Sequence, residues 1–261
     1  MSTLEQEYDE YNEAGRIWGL VSRERIKKLK FDRPNKNIID RYLAVGDLTT
    51  TVSDVLDSLG VVAAVPATDL PPLAPGQKVV GPAVTLRNIV ERKTPTKGYY
   101  DKDFIKMSTR DIYYLSEPGD ILVSDTGGDT QVSNMGGQSC TVARSRGFAG
   151  AIVNGAIRDA TTIREMGYPV WSKGATPITG KFRIEAIEIN GPVQIKDVRV
   201  EPGDLIVADD SGICVVPFEH INTVIDEVEK IAADEEAMRE LIVSEAPLDE
   251  LRPLYRKRYT G

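Results

Sequence analysis

From residue 49 to residue 217 the chain alternates short apolar runs with amphipathic stretches, and this alternation limits the fold more than any other feature. Strand-like runs rich in β-branched residues fall at 78–84, 121–124, 149–154, 193–195, 205–208 and 213–216. Helical spacing marks about 104–115, 138–146, 161–166 and 219–243. Strands alternate with helices in the middle, and the later part is richer in strands. That pattern predicts a layered α/β domain with a mixed sheet. Two of the strand runs open with the same motif: Glu117-Pro118-Gly119-Asp120 before Ile121, and Glu201-Pro202-Gly203-Asp204 before Leu205. Pro75-Gly76-Gln77 is a weaker third copy. Proline fixes φ and glycine supplies the positive φ of a tight turn, so each motif launches a strand. Three irregularly spaced copies describe recurrent turn chemistry within one domain, not a solenoid.

Upstream, residues 1–48 form an extension, expected to be helical. A polar helix is expected over 5–11, and Ile17, Leu20, Val21, Ile26 and Leu29 give 17–31 near-helical spacing. Asp32-Arg33-Pro34-Asn35 breaks that segment. The expected role of this helix is docking on a neighbouring subunit. Thr49-Thr50-Thr51 reads as the cap of a helix that ends at Gly60. Residues 218–261 form an acidic helical extension, with Ile221, Val224, Ile225, Val228 and Ile231 on one packing face.

Charge and residue counts exclude several functions. Forty acidic residues against thirty-two basic ones give a net charge of −8. Phosphate neutralisation needs a basic surface, so direct nucleic-acid binding is not expected. One histidine, His220, and two cysteines, Cys140 and Cys214, cannot build a multi-His or Cys-rich zinc site within one copy. They make no disulfide framework either, which points to a reducing cytoplasm. The acidic start Met1-Ser2-Thr3-Leu4-Glu5 is unlike a signal peptide. No apolar run reaches the roughly 18 residues that span a bilayer, so no membrane association is expected.

Chemistry concentrates between residues 125 and 180. Gly136-Gly137-Gln138-Ser139 opens a helix, where bare backbone N–H groups and the helix dipole favour an anion. Ordinary glycine turns give the same text, and neither a dinucleotide fingerprint nor a Walker A loop is present. Farther on, the buried run 149–154 ends in Asn154-Gly155-Ala156-Ile157-Arg158-Asp159. Ligands of open α/β sheets collect at the carboxyl ends of strands. Arg158 offers a planar fork for a carboxylate, and Asp159 an oxygen for a hard cation such as magnesium. A surface ion pair, or Asp159 as a helix cap, remains the competing reading.

Together these segments resemble the family of the regulator of ribonuclease activity A and the class II 4-hydroxy-4-methyl-2-oxoglutarate (4-carboxy-4-hydroxy-2-oxoadipate) aldolases. The resemblance rests on Gly136-Gly137-Gln138-Ser139, Gly147-Phe148-Ala149-Gly150, Asn154 to Asp159, Gly167-Tyr168-Pro169-Val170, Gly174-Ala175-Thr176-Pro177 and Asp209 to Pro217. Thr51 to Gly60 and Gly81-Pro82-Ala83-Val84-Thr85 extend it upstream. It covers roughly residues 49–217, which become an aldolase-like core with a polar insertion at about 91–103.

The resemblance implies an α/β fold of the three-layer β/β/α swivelling type with mixed sheets, assembled as homotrimers or homohexamers with the site at a subunit interface. It implies that Arg158 binds substrate and serves catalysis together with Asp159, which also binds Mg²⁺, Mn²⁺ or another divalent metal. Gly136, Gly137, Gln138 and Ser139 would form the substrate-binding loop. Many aldolases of the family carry an acidic residue second in that loop, and this chain has Gly137. The expected function is a metal-dependent lyase on an anionic 2-oxo acid, by retro-aldol cleavage or oxaloacetate-type decarboxylation through a pyruvate enolate. The alternative is a protein-binding regulator without catalysis. Methyl transfer has no support, since no glycine-rich adenosylmethionine loop follows an early strand. The 91–103 insertion serves either as a lid or as a solvated loop.

Overall fold

A computed structural model of the chain describes residues 2–103, 105–107 and 109–259. Helices α1 (Leu4–Glu13), α2 (Lys36–Ala44) and α3 (Leu48–Ser58) precede a short strand, β1 (Ala64–Pro66). A long strand, β2 (Val79–Val90), leads to α4 (Pro95–Tyr100) and α5 (Thr109–Leu115). The middle of the chain alternates: β3 (Ile121–Asp125), β4 (Ser133–Met135), α6 (Gly137–Ser145), β5 (Gly150–Ile157), α7 (Ala160–Met166) and β6 (Val170–Ala175). Strands β7 (Ile184–Ile189), β8 (Val193–Ile195), β9 (Val198–Val200), β10 (Leu205–Asp209) and β11 (Gly212–Val216) follow, then α8 (Ile221–Val243) and α9 (Leu248–Tyr259).

Nine strands join in one mixed sheet along the path β1-β11-β10-β2-β3-β5-β4, with β6 on β5 and β7 on β2. The pairs β2/β3, β3/β5, β4/β5 and β5/β6 are parallel, and β1, β10, β11 and β7 pair antiparallel. The fold is therefore α/β with a mixed sheet and packed helices, as the alternation predicts.

Strand β2 belongs to both halves of this sheet, and its side chains show how the layers stack. Val79 and Ala83 enter an inner core shared with Ile206, Ala208, Ile213 and Val215 of the antiparallel half and Ile121, Val123 and Ile152 of the parallel half. Val80, on the opposite face, packs under α2, α3 and α8 beside Tyr42, Val52, Val224 and Val228. Val84 and Leu86 pack with Ile112, Cys140 and Ile163 under α5, α6 and α7. The period-2 alternation of strand side chains thus builds an inner core and two helix-covered outer faces from one strand.

The repeated turns show why an aspartate closes each motif. Gly119 and Gly203 hold φ of +93° and +100°, open only to glycine without strain. Asp120 Oδ2 accepts the N–H of Glu117, and Asp204 Oδ2 accepts that of Glu201, each at 2.8 Å. The carboxylate therefore ties the fourth residue of the turn back to the first.

Several sequence expectations change. Residues 17–31 do not form an α-helix: only a 3-10 turn at Arg23–Arg25 interrupts an extended path. Gly19 has φ +84°, and backbone pairing with β7 displaces the local helical preference. Ile26 bridges Ile189 in parallel, the Lys27 N–H donates to the Ile189 carbonyl at 2.9 Å, and the Arg25 guanidinium donates to the Ala186 carbonyl at 2.6 Å. Val21, Ile26 and Leu29 are buried in this chain's own core, so they are not an apolar face held out for a neighbour.

The threonines do not cap α3 either, because the helix begins at Leu48 behind Asp47. Thr49 instead donates from its backbone N–H and its hydroxyl to the two oxygens of Asp209, at 3.0 and 2.6 Å. Gly60 does end that helix, with φ +73°. Of the expected helix over 104–115, only Thr109–Leu115 forms, and Phe104 lies outside the described residues. The apolar stripe of α8 packs inward, with Ile221, Val224, Ile225 and Val228 buried. Among the described residues no helix is long and apolar enough to cross a membrane.

Candidate active site

Strand β5 is buried along all eight of its residues and lies between parallel neighbours β3 and β6. Arg158 and Asp159 follow directly at its carboxyl end. The Arg158 N–H donates to the Met135 carbonyl at 2.9 Å, which ties this point to the end of β4 and the start of α6. Asp159 holds a left-handed backbone, φ 57° and ψ 36°, a region that aspartate tolerates better than most residues. It stands at the N-cap position of α7, yet its side chain makes no capping bond there. Instead Oδ2 accepts the backbone N–H of Gly137 at 3.0 Å. The cap reading is thereby replaced: the carboxylate reaches across to the first turn of a different helix.

That reach explains the glycines. A Cβ on residue 136 would come within 2.8 Å of Asp159 Oδ2 and 2.9 Å of Arg158 Cγ. On residue 137 it would meet Thr162 Cγ2 at 3.3 Å and Asp159 Cβ at 3.5 Å. Bare backbone at Gly136 is what lets Arg158 and Asp159 close against α6. One N–H of the expected anion-binding turn is consequently occupied by a protein carboxylate. The Arg158 Nε lies 3.6 Å from Asp159 Oδ2, and both side chains are close to half exposed.

These groups line a cleft of about 380 Å³. Gly136, Gln138, Ser139, Arg158 and Asp159 all face it, whereas Gly137 stands behind and contributes its N–H to Asp159. The Ser139 hydroxyl lies 3.0 Å from the Tyr113 hydroxyl, and burial pushes the Tyr113 phenol above its ordinary value. Beneath them, burial and the nearby Asp159 charge push the Cys140 thiol up to about 12. Cys140 is therefore a packing residue and not a thiolate at the helix start. His220 sits at the foot of α8 and does not line the cleft.

The remaining cleft residues carry no motif in the sequence. Leu20 comes from the N-terminal segment, Ile105 and Met107 from the approach to α5, Arg110 from the first turn of α5, and Thr179 and Lys181 from the β6–β7 connection. Asp111 fixes Leu20 in place, since its Oδ1 accepts the N–H groups of Gly19 and Leu20, each at 3.1 Å. The only signal for Arg110 and Lys181 in the sequence is their charge, which a folded neighbourhood alone makes meaningful. Residues 91–103 do not line the cleft. There Lys93 pairs with Asp101 and Asp103, Lys97 pairs with Asp101, and Gly98 packs closely on Phe182.

Among the described residues no three His, Cys, Asp or Glu side chains gather to hold a cation by themselves. Among the described lining residues Asp159 alone offers a carboxylate, and its contacts with described residues engage Oδ2. One carboxylate beside room for water and substrate oxygens suits magnesium, which keeps several waters and binds through few protein ligands. The donor set is compatible with that ion and contains no soft ligand.

A family model described as RraA-like, Aldolase/RraA, matches residues 49–215. A protein named as a candidate 4-hydroxy-4-methyl-2-oxoglutarate aldolase in Halalkalibacterium halodurans is 31% identical over 202 residues, covering 76% of this chain and 85% of its own. Protein DlpA of Legionella pneumophila is 28% identical over 204 residues, 78% of this chain, but the match spans only 32% of DlpA. Among solved structures, RraAS2 of Streptomyces coelicolor superposes with a TM-score of 0.68 at 28% identity. It covers 80% of this chain and 99% of its own, and is described as an unusual member of the RNase ES inhibitor RraA protein family.

Proposed function

The chain belongs to the RraA-like, Aldolase/RraA family, and from that premise we propose that it is a divalent-metal-dependent carbon–carbon lyase acting on a 2-oxo acid. The reaction is retro-aldol cleavage of a 4-hydroxy-2-oxo acid, with oxaloacetate-type decarboxylation through the same pyruvate enolate. One observation carries this reading: Arg158 and Asp159 are held together, at the end of a buried parallel strand, against glycine backbone on the wall of a cleft. Relatives that carry aldolase names support a lyase.

In this reading Arg158 grips the substrate's C1 carboxylate through its planar fork. Asp159 holds Mg²⁺, Mn²⁺ or a similar cation, while the Gly137 N–H keeps the carboxylate from swinging away. When bound, the cation supplies Lewis-acid polarisation of the 2-keto group. As the C3–C4 bond breaks, its electron pair stays with C3 and C4 becomes the carbonyl of the second product. Arg158 stabilises the enolate charge from a fixed position, without reorganising during the step. The proton of the 4-hydroxyl leaves to water in the cleft, because Asp159 is the only carboxylate among the described lining residues and no histidine joins it. Protonation of C3 then gives pyruvate. Gln138 and Ser139 line the same wall as substrate-binding groups.

The test is a lactate-dehydrogenase-coupled assay on 4-hydroxy-2-oxo diacids and on oxaloacetate, with magnesium or with chelator. Metal-dependent pyruvate release supports the proposal, and its absence from every substrate defeats it. Assembly as a trimer or hexamer, with the site at a subunit interface, belongs to the same proposal. Light scattering that reports a monomer would remove that part. The kinship with RraAS2 supports a second reading, a regulator that binds a ribonuclease without catalysis. Failure to capture a ribonuclease at low salt would dismiss it.

A further inference from the structure

We propose that Arg110 and Lys181 bind the distal carboxylate of the substrate, so that the cleft selects 2-oxo diacids over 2-oxo monoacids. This rests on the lyase reading and adds the residues that choose its substrate. The observation is a charge imbalance. Among the described lining residues three cations, Arg110, Arg158 and Lys181, stand against the single carboxylate of Asp159, in a chain whose net charge is −8. Arg158 is already matched, with Asp159 3.6 Å away. Neither Arg110 nor Lys181 pairs with a carboxylate among the described residues.

Each is placed by an aromatic ring. The Arg110 guanidinium lies 5.6 Å from the Trp18 ring centre, and the Lys181 ammonium 5.3 Å from that of Phe182. A ring restrains a cationic side chain without neutralising it. Two positive charges therefore remain at the cleft once the first carboxylate has met Arg158. An anion bound between them gains charge-assisted hydrogen bonds that a monoacid cannot make. Leu20, Ile105 and Met107 supply an apolar wall for the carbon chain linking two acid groups. All of these residues lie outside the glycine loop and the Arg158-Asp159 pair. Positive potential confined to the cleft also draws a multiply charged anion to an otherwise acidic molecule.

The experiment compares the magnesium-loaded wild type with Arg110→Gln, Lys181→Gln and the double variant. Substrates are 4-hydroxy-2-oxoglutarate, a diacid, and 4-hydroxy-2-oxopentanoate, a monoacid, with pyruvate release as the readout. The expected result is a fall of about tenfold or more, on the scale of one charged hydrogen bond, in the diacid-to-monoacid ratio of kcat/KM for the double variant. An unchanged ratio overturns the proposal. Calorimetric binding of 2-oxoglutarate and 2-oxobutyrate, neither of which can be cleaved, separates this failure from failure of the lyase reading. If the wild type releases pyruvate from neither substrate nor from oxaloacetate, the lyase reading fails. Selectivity is then decided by binding: diacid preference lost in the double variant supports it, and equal affinity for the two acids in the wild type defeats it.

Discussion

A methyl group on residue 136 would have to share space with Asp159 Oδ2 at 2.8 Å and Arg158 Cγ at 2.9 Å. Gly136→Ala is therefore expected to lower kcat/KM about tenfold or more, because displacement of a positioned group by about an ångström is costly to catalysis. Its effect on stability should stay within about 1 kcal/mol, since φ −152° suits alanine as well. Gly137→Ala makes looser contacts and should be much milder. The pair of variants, measured by kinetics and by thermal melting, separates a close approach from a general need for glycine. The cysteines give a second prediction at this scale. Burial pushes both thiols up to about 12. Neither should react with a disulfide reagent at pH 8 in the native protein, and both should react after unfolding. Rapid native labelling of Cys140 would show that its helix covers it less well than the packing indicates.

At the scale of elements, the two Pro-Gly-Asp turns share a plan but differ in their charge environment. Asp120 is wholly buried and takes both its oxygens to Arg33, at 2.8 Å each. Arg33→Met strips that partner and leaves a buried carboxylate, a loss of about 3 kcal/mol that urea denaturation would read. Asp204 has no such cation among the described residues. Burial raises its carboxyl above the ordinary value, and Glu201 and Glu219 add to the rise, while the N–H groups of Glu201 and Phe218 oppose it. The folded state thus holds this proton more tightly than the unfolded chain. Its contribution to stability is full below the ordinary carboxylate pKa and is lost as pH rises through the folded value. Asp204→Asn removes that slope, so the stability advantage of wild type over the variant should narrow between about pH 4 and neutrality. A gap that widens with pH would contradict the burial argument.

These turns also show what the sequence makes legible. Pro-Gly followed by β-branched residues located β3 and β10 within a residue or so, because the signal is local. Strand β7 is not legible in the same way: Ile184-Glu185-Ala186-Ile187-Glu188-Ile189 lacks clean alternation, and its place is set by pairing with β2. Strand β4, Ser133-Asn134-Met135, holds no β-branched residue to mark it and takes its place by pairing with β5. Helix α2 lies within the extension expected to be helical but has no separate signal beyond its cap, Asn35, which accepts the Ile38 N–H at 3.1 Å. In the opposite direction, 17–31 looked helical because its apolar spacing is determined by contacts with distant strands. The candidate site divides in the same way. Gly136-Gly137 and Arg158-Asp159 are each a contiguous pair that can be read from the text, whereas Leu20, Arg110 and Lys181 meet only in space.

For the whole molecule, the N-terminal segment acts as a structural strap. Tyr11, Val21, Ile26 and Leu29 are buried against the parallel half of the sheet, and Leu20 forms part of the cleft wall. Fully buried apolar side chains contribute about 1.5–3 kcal/mol each. Their combined loss approaches the whole stability of an ordinary domain. Deleting residues 1–31 should therefore give a chain that binds hydrophobic dyes and melts without a cooperative transition, as calorimetry would show. A truncated chain that melts cooperatively near the wild-type temperature would mean that the strap is dispensable.

The strap's partners lie far along the chain: Arg25 meets the Ala186 carbonyl 161 residues away. Translation therefore delivers the strap long before the strand that receives it. At ribosomal rates of about 5–20 residues per second, that interval is roughly 10–30 s. Throughout it, Val21, Ile26 and Leu29 emerge with no surface to cover, so the nascent chain is at its stickiest where the finished protein is best sealed. The cleft wall that Leu20 completes is accordingly among the last parts of this fold to be assembled, although Leu20 is made well before the strand that its segment pairs with.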